Sequence, residues 1–338
     1  MNAWYRSATW LHLLRPLAWL FAIGSSIRRI VLSKQAKSFS VPVIIVGNLT
    51  VGGTGKTPLL IAIAYYLMQQ GYRPGIVSRG YRAQVRHFPK IVLSTDTAQA
   101  VGDEPYCLAR ATHCPVVIDP RRVRGVQYLL DQFNCTVILS DDGLQHYALH
   151  RDIEIVVIDG ERRFGNGYCL PAGPLREPLS RLNSVDFQVV NGVDEHKDHF
   201  KQEGGKEYAM TLQPLHWVNL KTQEVRALSD LSRISPIQAV AGIGNPDRFF
   251  KLVRSLGYSI QTRAFSDHYP YGPADFKSFG NQTILMTEKD AVKCEFFAQP
   301  DWWYLAVVST LEPRFWEDIL LKLRTRPEHE KKNESKTA

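Results

Sequence analysis

The fold class this sequence predicts is α/β, a largely parallel sheet covered on both faces by helices, and three observations predict it. Short apolar runs near residues 43–46, 73–78, 90–94, 115–119, 136–140, 154–159 and 187–191 read as strands, with helical stretches at 59–70, 104–111 and 121–133 among them. Those runs are nearly continuously apolar, as strands buried on both faces must be. The first of them empties into a glycine-rich turn that opens a helix, Gly52-Gly53-Thr54-Gly55-Lys56-Thr57-Pro58. At 338 residues and 44% hydrophobic composition, the chain can bury one large core and a smaller second lobe.

Residues 1–38 form the first unit. Residues 4–32 mix three tryptophans with leucines and arginines, and Arg15-Pro16 interrupts the apolar run. The least polar stretch, residues 17–23, falls far short of the ~20 residues needed to span a bilayer, and no convincing signal-peptide cleavage site follows. Such a mixture suits the headgroup boundary of an anionic membrane. An ordinary helix packed on the domain behind it is the competing account. We therefore expect an N-terminal membrane-associated helix.

Residues 39–195 form the expected core. Glycines let backbone N–H groups crowd around a polyphosphate, the helix start adds its positive end, Lys56 adds charge, and the Thr57 hydroxyl can reach Mg²⁺. This is a P-loop with Thr50 at the first position of the usual pattern, and residues 52–58 are the expected nucleotide-binding segment. A run from Cys135 ends in Asp141-Asp142-Gly143, where a P-loop fold commonly places its magnesium-organising aspartate. Asp-Gly is also ordinary turn chemistry. Asp103-Glu104 sits at a helix start, where acidic residues complement the dipole; beside phosphates, such a pair could also accept a proton and bind Mg²⁺. Arg79 and Tyr81, in Ser78-Arg79-Gly80-Tyr81-Arg82, and Arg121, in a second basic cluster with Arg122 and Arg124, lie at strand ends. Phosphate contact suits those positions, and solvated surface charge explains the second cluster equally well.

Residues 196–325 form the smaller α/β C-terminal lobe, with strands near 208–212, 238–241, 283–286 and 304–308. A polar connection at 194–206 precedes it, and a charged tail, 326–338, has the composition of disorder. Ala241-Gly242-Ile243-Gly244-Asn245-Pro246 lacks the third glycine of a dinucleotide fingerprint and reads as a phosphate-side or helix-leading loop. Thr287-Glu288-Lys289-Asp290 is an imperfect version of a guanine-reading loop, so GTP specificity is unsupported. Asp267-His268-Tyr269 sits in a loop and by itself earns His268 no role.

A net charge of +8 and a pI near 9.2 point to an acidic partner. Aromatic and basic residues do not interleave as in RNA-binding modules, which argues against nucleic acid. The cysteines at 107, 114, 135, 169 and 294 have no C-x-x-C spacing; they read as reduced thiols, and a zinc site is disfavoured.

Together the motifs resemble one family, the tetraacyldisaccharide 4′-kinases that phosphorylate the lipid A precursor of Gram-negative bacteria. The pieces that match are the stretch from Val46 to Pro58, Ser78-Arg79-Gly80-Tyr81, Gly102-Asp103-Glu104-Pro105, the stretch from Asp141 to His146, the stretch from Ala172 to Pro178, and Asp267-His268-Tyr269. Thr50 in the P-loop is shared by that family. The resemblance implies transfer of the ATP γ-phosphate to the 4′-hydroxyl of a tetraacyldisaccharide 1-phosphate, giving lipid IV-A. It implies Asp103 as base assisted by His268, Lys56 as the phosphate cation, and Glu104 with Asp141 and Thr57 at Mg²⁺. Asp142 and His146 belong to the metal's water shell or to substrate positioning. It places the enzyme at the cytoplasmic face of the inner membrane, peripheral or monotopic, with no obligate protein partner. The rival reading is a membrane-associated P-loop ATPase or GTPase switch, where water accepts the phosphoryl group; the acidic pair at 103–104 and the N-terminal segment argue against it.

Overall fold

In the computed structural model, residues 2–5, 9–192, 207–231 and 237–326 are described. The polar connection at 194–206 and the charged tail past Arg326, named above, lie outside them. The first long helix, α1 (Arg15–Ser33), carries Pro16 in its first turn, where a missing N–H costs nothing. Thus Arg15-Pro16 starts the helix rather than breaking one. In order follow β1 (Val43–Gly47), α2 (Lys56–Gln69), β2 (Pro74–Ser78), β3 (Lys90–Ile91), α3 (Ala98–Val101), α4 (Asp103–Thr112), β4 (Val116–Ile118), α5 (Arg122–Gln132), β5 (Val137–Asp141), β6 (Ile153–Asp159) and β7 (Phe187–Asn191). The remaining elements are β8 (Glu207–Asn219), β9 (Val225–Arg226), β10 (Ile237–Ala241), α6 (Pro246–Ser255), β11 (Ile260–Ala264), β12 (Thr283–Thr287), α7 (Glu288–Cys294), β13 (Trp302–Leu311) and α8 (Pro313–Arg324).

All strands join one sheet in the order β11-β10-β12-β13-β8-β7-β6-β1-β5-β2-β4-β3, with β9 pairing β8. Neighbours along this order are parallel except β13 with β8 and β3 with β4. Strand alternation divides β1 between two cores. Ile44 and Val46 meet Leu59, Leu60 and Ile63 of α2 and Leu108 of α4. Val43 and Ile45 face the opposite way, with Val126 and Leu129 of α5 and Ala18 of α1. Each such fully buried Val, Leu or Ile side chain contributes about 1.5–3 kcal/mol, which explains why these strands read as unbroken apolar runs.

Strand β8 extends well beyond the expected 208–212, because it pairs β7 at one end and follows β13 along most of its length. The 90–94 strand shrinks to two residues. Beyond β13, Ala239 and Ala241 of β10 pack with Phe249, Phe250 and Val253 of α6, while Val240, Ile284 and Met286 pack with Phe276 and Trp302 on the other face. The carboxyl ends of β1 and β5 and the loops after β10 and β12 converge on one region, the side of a parallel sheet where ligands bind.

Candidate active site

The P-loop leaves β1 and enters α2 at Lys56, whose ammonium group is buried. Its Nζ donates to Asn48 Oδ1 at 3.2 Å and lies 3.5 Å from Asp142 Oδ1. Asp141 closes β5, which is registered beside β1. Ser78, the last residue of β2, donates its hydroxyl to Asp141 Oδ2 at 2.9 Å. Burial, with the charges of Glu104 and Asp142 added, pushes the Asp141 carboxyl up to about 7. Its Oδ1 is buried with no hydrogen-bond partner among the described residues. Asp142 behaves oppositely: Lys56 and Arg176 outweigh burial and hold it well below the usual carboxylate range.

Gly102 lies between α3 and α4 at a φ of +94°, conformational space that favours glycine, and a Cβ there would crowd the Tyr81 carbonyl oxygen at 3.0 Å. That turn delivers Asp103 and Glu104 together at the start of α4. His268, held at a φ of +57° by its N–H bond to the Gly242 carbonyl, hydrogen-bonds Asp103 through Nδ1, 2.9 Å from Oδ2 and 3.1 Å from Oδ1. Tyr81 packs edge-on against the His268 ring, centroids 5.2 Å apart, and Arg82 donates to the His268 carbonyl oxygen. Burial alone would raise Asp103, but the His268 hydrogen bond and the Lys289 charge prevail and bring it down to about 2. At a sequence separation of 165 residues, no local pattern marks this pairing of Asp103 with His268; only the family resemblance pointed to it.

Two cavities meet at these groups. One, of about 990 Å³, is lined by the P-loop from Gly53 to Pro58, by Asn191 and Arg248, and by apolar residues of α2, β8 and β13 including Tyr65 and Leu305. The other, of about 920 Å³, runs from Lys56, Glu104 and His268 past Arg79, Tyr81, Asp141, Asp142 and His146 to Phe21, Gly24 and Arg28 of α1. Arg121 lines neither cavity; its neighbour Arg122 lines the second, with its guanidinium donating to the Asp141 carbonyl oxygen at 3.0 Å. Arg124 instead pairs with Asp119. His146 Nε2 accepts the Arg122 backbone N–H at 3.1 Å. Burial and the surrounding arginines lower His146 to about 4, so it is a neutral ring at ordinary pH.

Sequence reasoning missed Lys289, Arg176 and Arg162. Arg176 pairs with Asp142 at 3.0 Å. Arg162 donates to the carbonyl oxygens of Gly53 (2.6 Å) and Gly244 (2.9 Å), clamping the loop after β10 against the P-loop. The signals available were the Ala172–Pro178 motif for Arg176 and the Thr-Glu-Lys-Asp stretch for Lys289; nothing local marks Arg162.

Residues 10–324 match the family model described as tetraacyldisaccharide-1-P 4′-kinase (LpxK). A tetraacyldisaccharide 4′-kinase of Legionella pneumophila (strain Lens) is 47% identical over 317 residues, covering 94% of each chain. One of Nitrosococcus oceani is 45% identical over 327 residues, 96% of this chain and 94% of the relative. The crystal structure of LpxK from Aquifex aeolicus in complex with ATP superposes with a TM-score of 0.78 at 28% identity, covering 93% of this chain and all of that one. With a phosphate loop, an acid–histidine pair and two joined cavities on a fold shared with that structure, this chain belongs to the tetraacyldisaccharide-1-P 4′-kinase family.

Proposed function

We propose that this chain transfers the γ-phosphate of ATP to the 4′-hydroxyl of a tetraacyldisaccharide 1-phosphate at the cytoplasmic face of an inner membrane. The observation that carries the reading is the Asp103–His268 pair, which stands beside the cavity running to α1 and close to the P-loop lysine. ATP belongs in the first cavity with its phosphates along residues 52–58. The sugar belongs in the second, and its acyl chains extend toward α1.

Phosphoryl transfer passes through a loose transition state, so alignment and charge neutralisation carry most of the catalysis. Lys56 neutralises phosphate charge. Asp103 accepts the hydroxyl proton late, when little basicity is needed, and His268 orients the carboxylate and shares the proton. Arg79, Tyr81, Asp142 and His146 face the acceptor cavity as positioning groups. Thr57, Asp141 and Glu104 would hold Mg²⁺. The buried Asp141 Oδ1, without a partner among the described residues, fits a cation, and a magnesium ion usually takes only one or two carboxylates beside phosphate oxygens and water. When bound, the ion supplies charge neutralisation on the polyphosphate.

Helix α1 supports contact with the membrane surface. Ala18 is anchored in the core at 1% exposure, while Trp19 (67%), Leu20 (67%) and Ile23 (57%), with Leu13 (83%) in the turn just before the helix, face outward. Among the described residues no helix is long and apolar enough to cross a membrane; the proposed association, through the exposed apolar face of α1, is peripheral or monotopic.

The test is transfer of label from γ-labelled ATP, with Mg²⁺, to tetraacyldisaccharide 1-phosphate in detergent, with Lys56→Ala and Asp103→Ala as controls. Labelled lipid that vanishes in both variants supports the kinase. Released inorganic phosphate without labelled lipid would replace it with a switch ATPase.

A further inference from the structure

Four residues line both cavities: Gly53, Lys56, Glu104 and Lys289. Whatever passes from the nucleotide side to the acceptor side passes among them. Gly53 offers backbone, Glu104 is acidic, and Lys56 is the P-loop lysine. Lys289 remains without a role in the reaction as described so far, although it is the second cation of this passage.

The fold places Lys289 with care. It stands in the first turn of α7, directly after β12, on the far side of the shared sheet from the P-loop strand. The next residue, Asp290, is fully buried and accepts from the Thr287 hydroxyl (2.6 Å), the Gly242 N–H (3.1 Å), the Tyr271 hydroxyl (3.2 Å) and Lys293 (2.9 Å). Those bonds tie α7 to the loop that carries Gly244 and to the loop that carries His268. Lys289 is thereby aimed across the gap at the first half of the chain. Its Nζ donates to Glu104 Oε1 at 3.0 Å and lies 3.4 Å from His268 Nε2 and 3.8 Å from Asp267 Oδ1. A partly buried ammonium so placed costs desolvation, which carboxylates repay in the absence of phosphate.

We propose that Lys289 is a second phosphate-neutralising catalytic cation, which exchanges its Glu104 partner for the γ-phosphoryl oxygens when nucleotide fills the first cavity. This rests on the phosphoryl-transfer reading above and adds to it. In the step itself, the acceptor oxygen bonds the γ-phosphorus while the bond from that phosphorus to the β–γ bridging oxygen breaks. ADP leaves with the electron pair, and the acceptor proton passes to Asp103. Lys289 gives up no proton; it donates hydrogen bonds to equatorial oxygens where charge accumulates. Release of Glu104 by the same exchange frees that carboxylate for its proposed place at the cation.

A group that reaches only the γ-phosphate should distinguish nucleotides by that phosphate. The experiment measures binding of ADP and of the β,γ-imido analogue of ATP, without acceptor, to wild type and to Lys289→Met, together with turnover. We expect turnover to fall about 10²–10³-fold. Affinity for the imido analogue should fall about 10–100-fold, as for loss of a charge-assisted hydrogen bond, while ADP affinity is unchanged. Because Lys289→Met strands Glu104, the paired variant Glu104→Gln/Lys289→Gln, which keeps a neutral hydrogen bond, is measured alongside. Equal weakening of ADP and analogue in both variants, or turnover near that of wild type in Lys289→Met, would overturn the proposal. If the wild type discriminates by γ-phosphate through Lys289 yet labels no lipid, the acceptor assignment fails and the cation's role stands.

Discussion

Gly244→Ala tests whether the loop after β10 sets the position of the phosphate cradle. An alanine Cβ at 244 would lie 2.2 Å from the Gly53 nitrogen and 2.8 Å from its Cα, more than an ångström inside ordinary contact for the nearer atom. The obstacle is backbone on both sides, so no side-chain rotamer relieves it. Arg162 holds both loops through their carbonyl oxygens and through its ion pair with Asp159 (3.0 Å), which opposes their separation. Overpacking of this kind costs about 1–3 kcal/mol, and a displacement of about 1 Å in a phosphate-positioning loop costs about 10²-fold in rate. The assay is steady-state transfer at varied ATP, with thermal melting of the same preparations. We expect raised KM for ATP, reduced kcat and a modestly lower Tm. Gly71→Ala is the control: it carries a positive φ of +83° but has open space around its Cβ, so it costs stability without touching the cradle. Wild-type kinetics in Gly244→Ala, or losses no greater than those in Gly71→Ala, would refute the reasoning.

Other outcomes follow from the same geometry. His268→Ala should lower turnover and alter its pH dependence, since Asp103 loses the hydrogen bond that helps hold it near 2; unchanged turnover and pH profile would exclude the pair. Asp141 binds its proton more tightly in the folded chain than in the unfolded one, so its contribution to stability falls as pH rises from about 4 toward about 7. Melts in metal-free buffer should show that slope, Mg²⁺ should offset it at the upper end, and Asp141→Asn should remove it. Asp103 has the opposite sign: its contribution is complete above the unfolded value near 3.8 and is lost as pH falls toward about 2, a loss that acid titration of Asp103→Asn should lack. Deleting residues 1–30 should weaken sedimentation with anionic vesicles, and Trp19→Ser/Leu20→Ser should do so without lowering Tm; undiminished sedimentation would count against the membrane reading.

Local chemistry explains what the sequence made legible. The P-loop, the Asp141 strand end and the Asp103–Glu104 helix start depend on neighbours a few residues apart, and each was read close to its true position. Strand β11 was not, because four of its five residues are exposed at the sheet edge and form no apolar run. Strand β8 read short because its middle residues are less buried, facing the nucleotide cavity at Leu212 and Leu215. His268 gained a role only through family resemblance; its meeting with Asp103 depends on how the sheet order folds the chain back. Arg122 replaced Arg121 at the cavity because Arg122 opens α5 and is buried, whereas Arg121 precedes the helix with non-helical backbone and stays exposed, a boundary that composition does not reveal.

The β8 strand also bears on how this protein fails. Its ladder is shared, with β7 along one edge and β13 along the other. If the C-terminal half melted first, β8 would be left with a long row of unpaired N–H and C=O groups, a template for intermolecular strand addition. If the P-loop half opened first, the other edge would free the shorter stretch Glu207–Met210 that pairs with β7. Partial unfolding in either direction therefore creates a sticky margin, so heat inactivation should depend on protein concentration, and ligands that keep the two edges of β8 covered should act as preservatives as much as substrates.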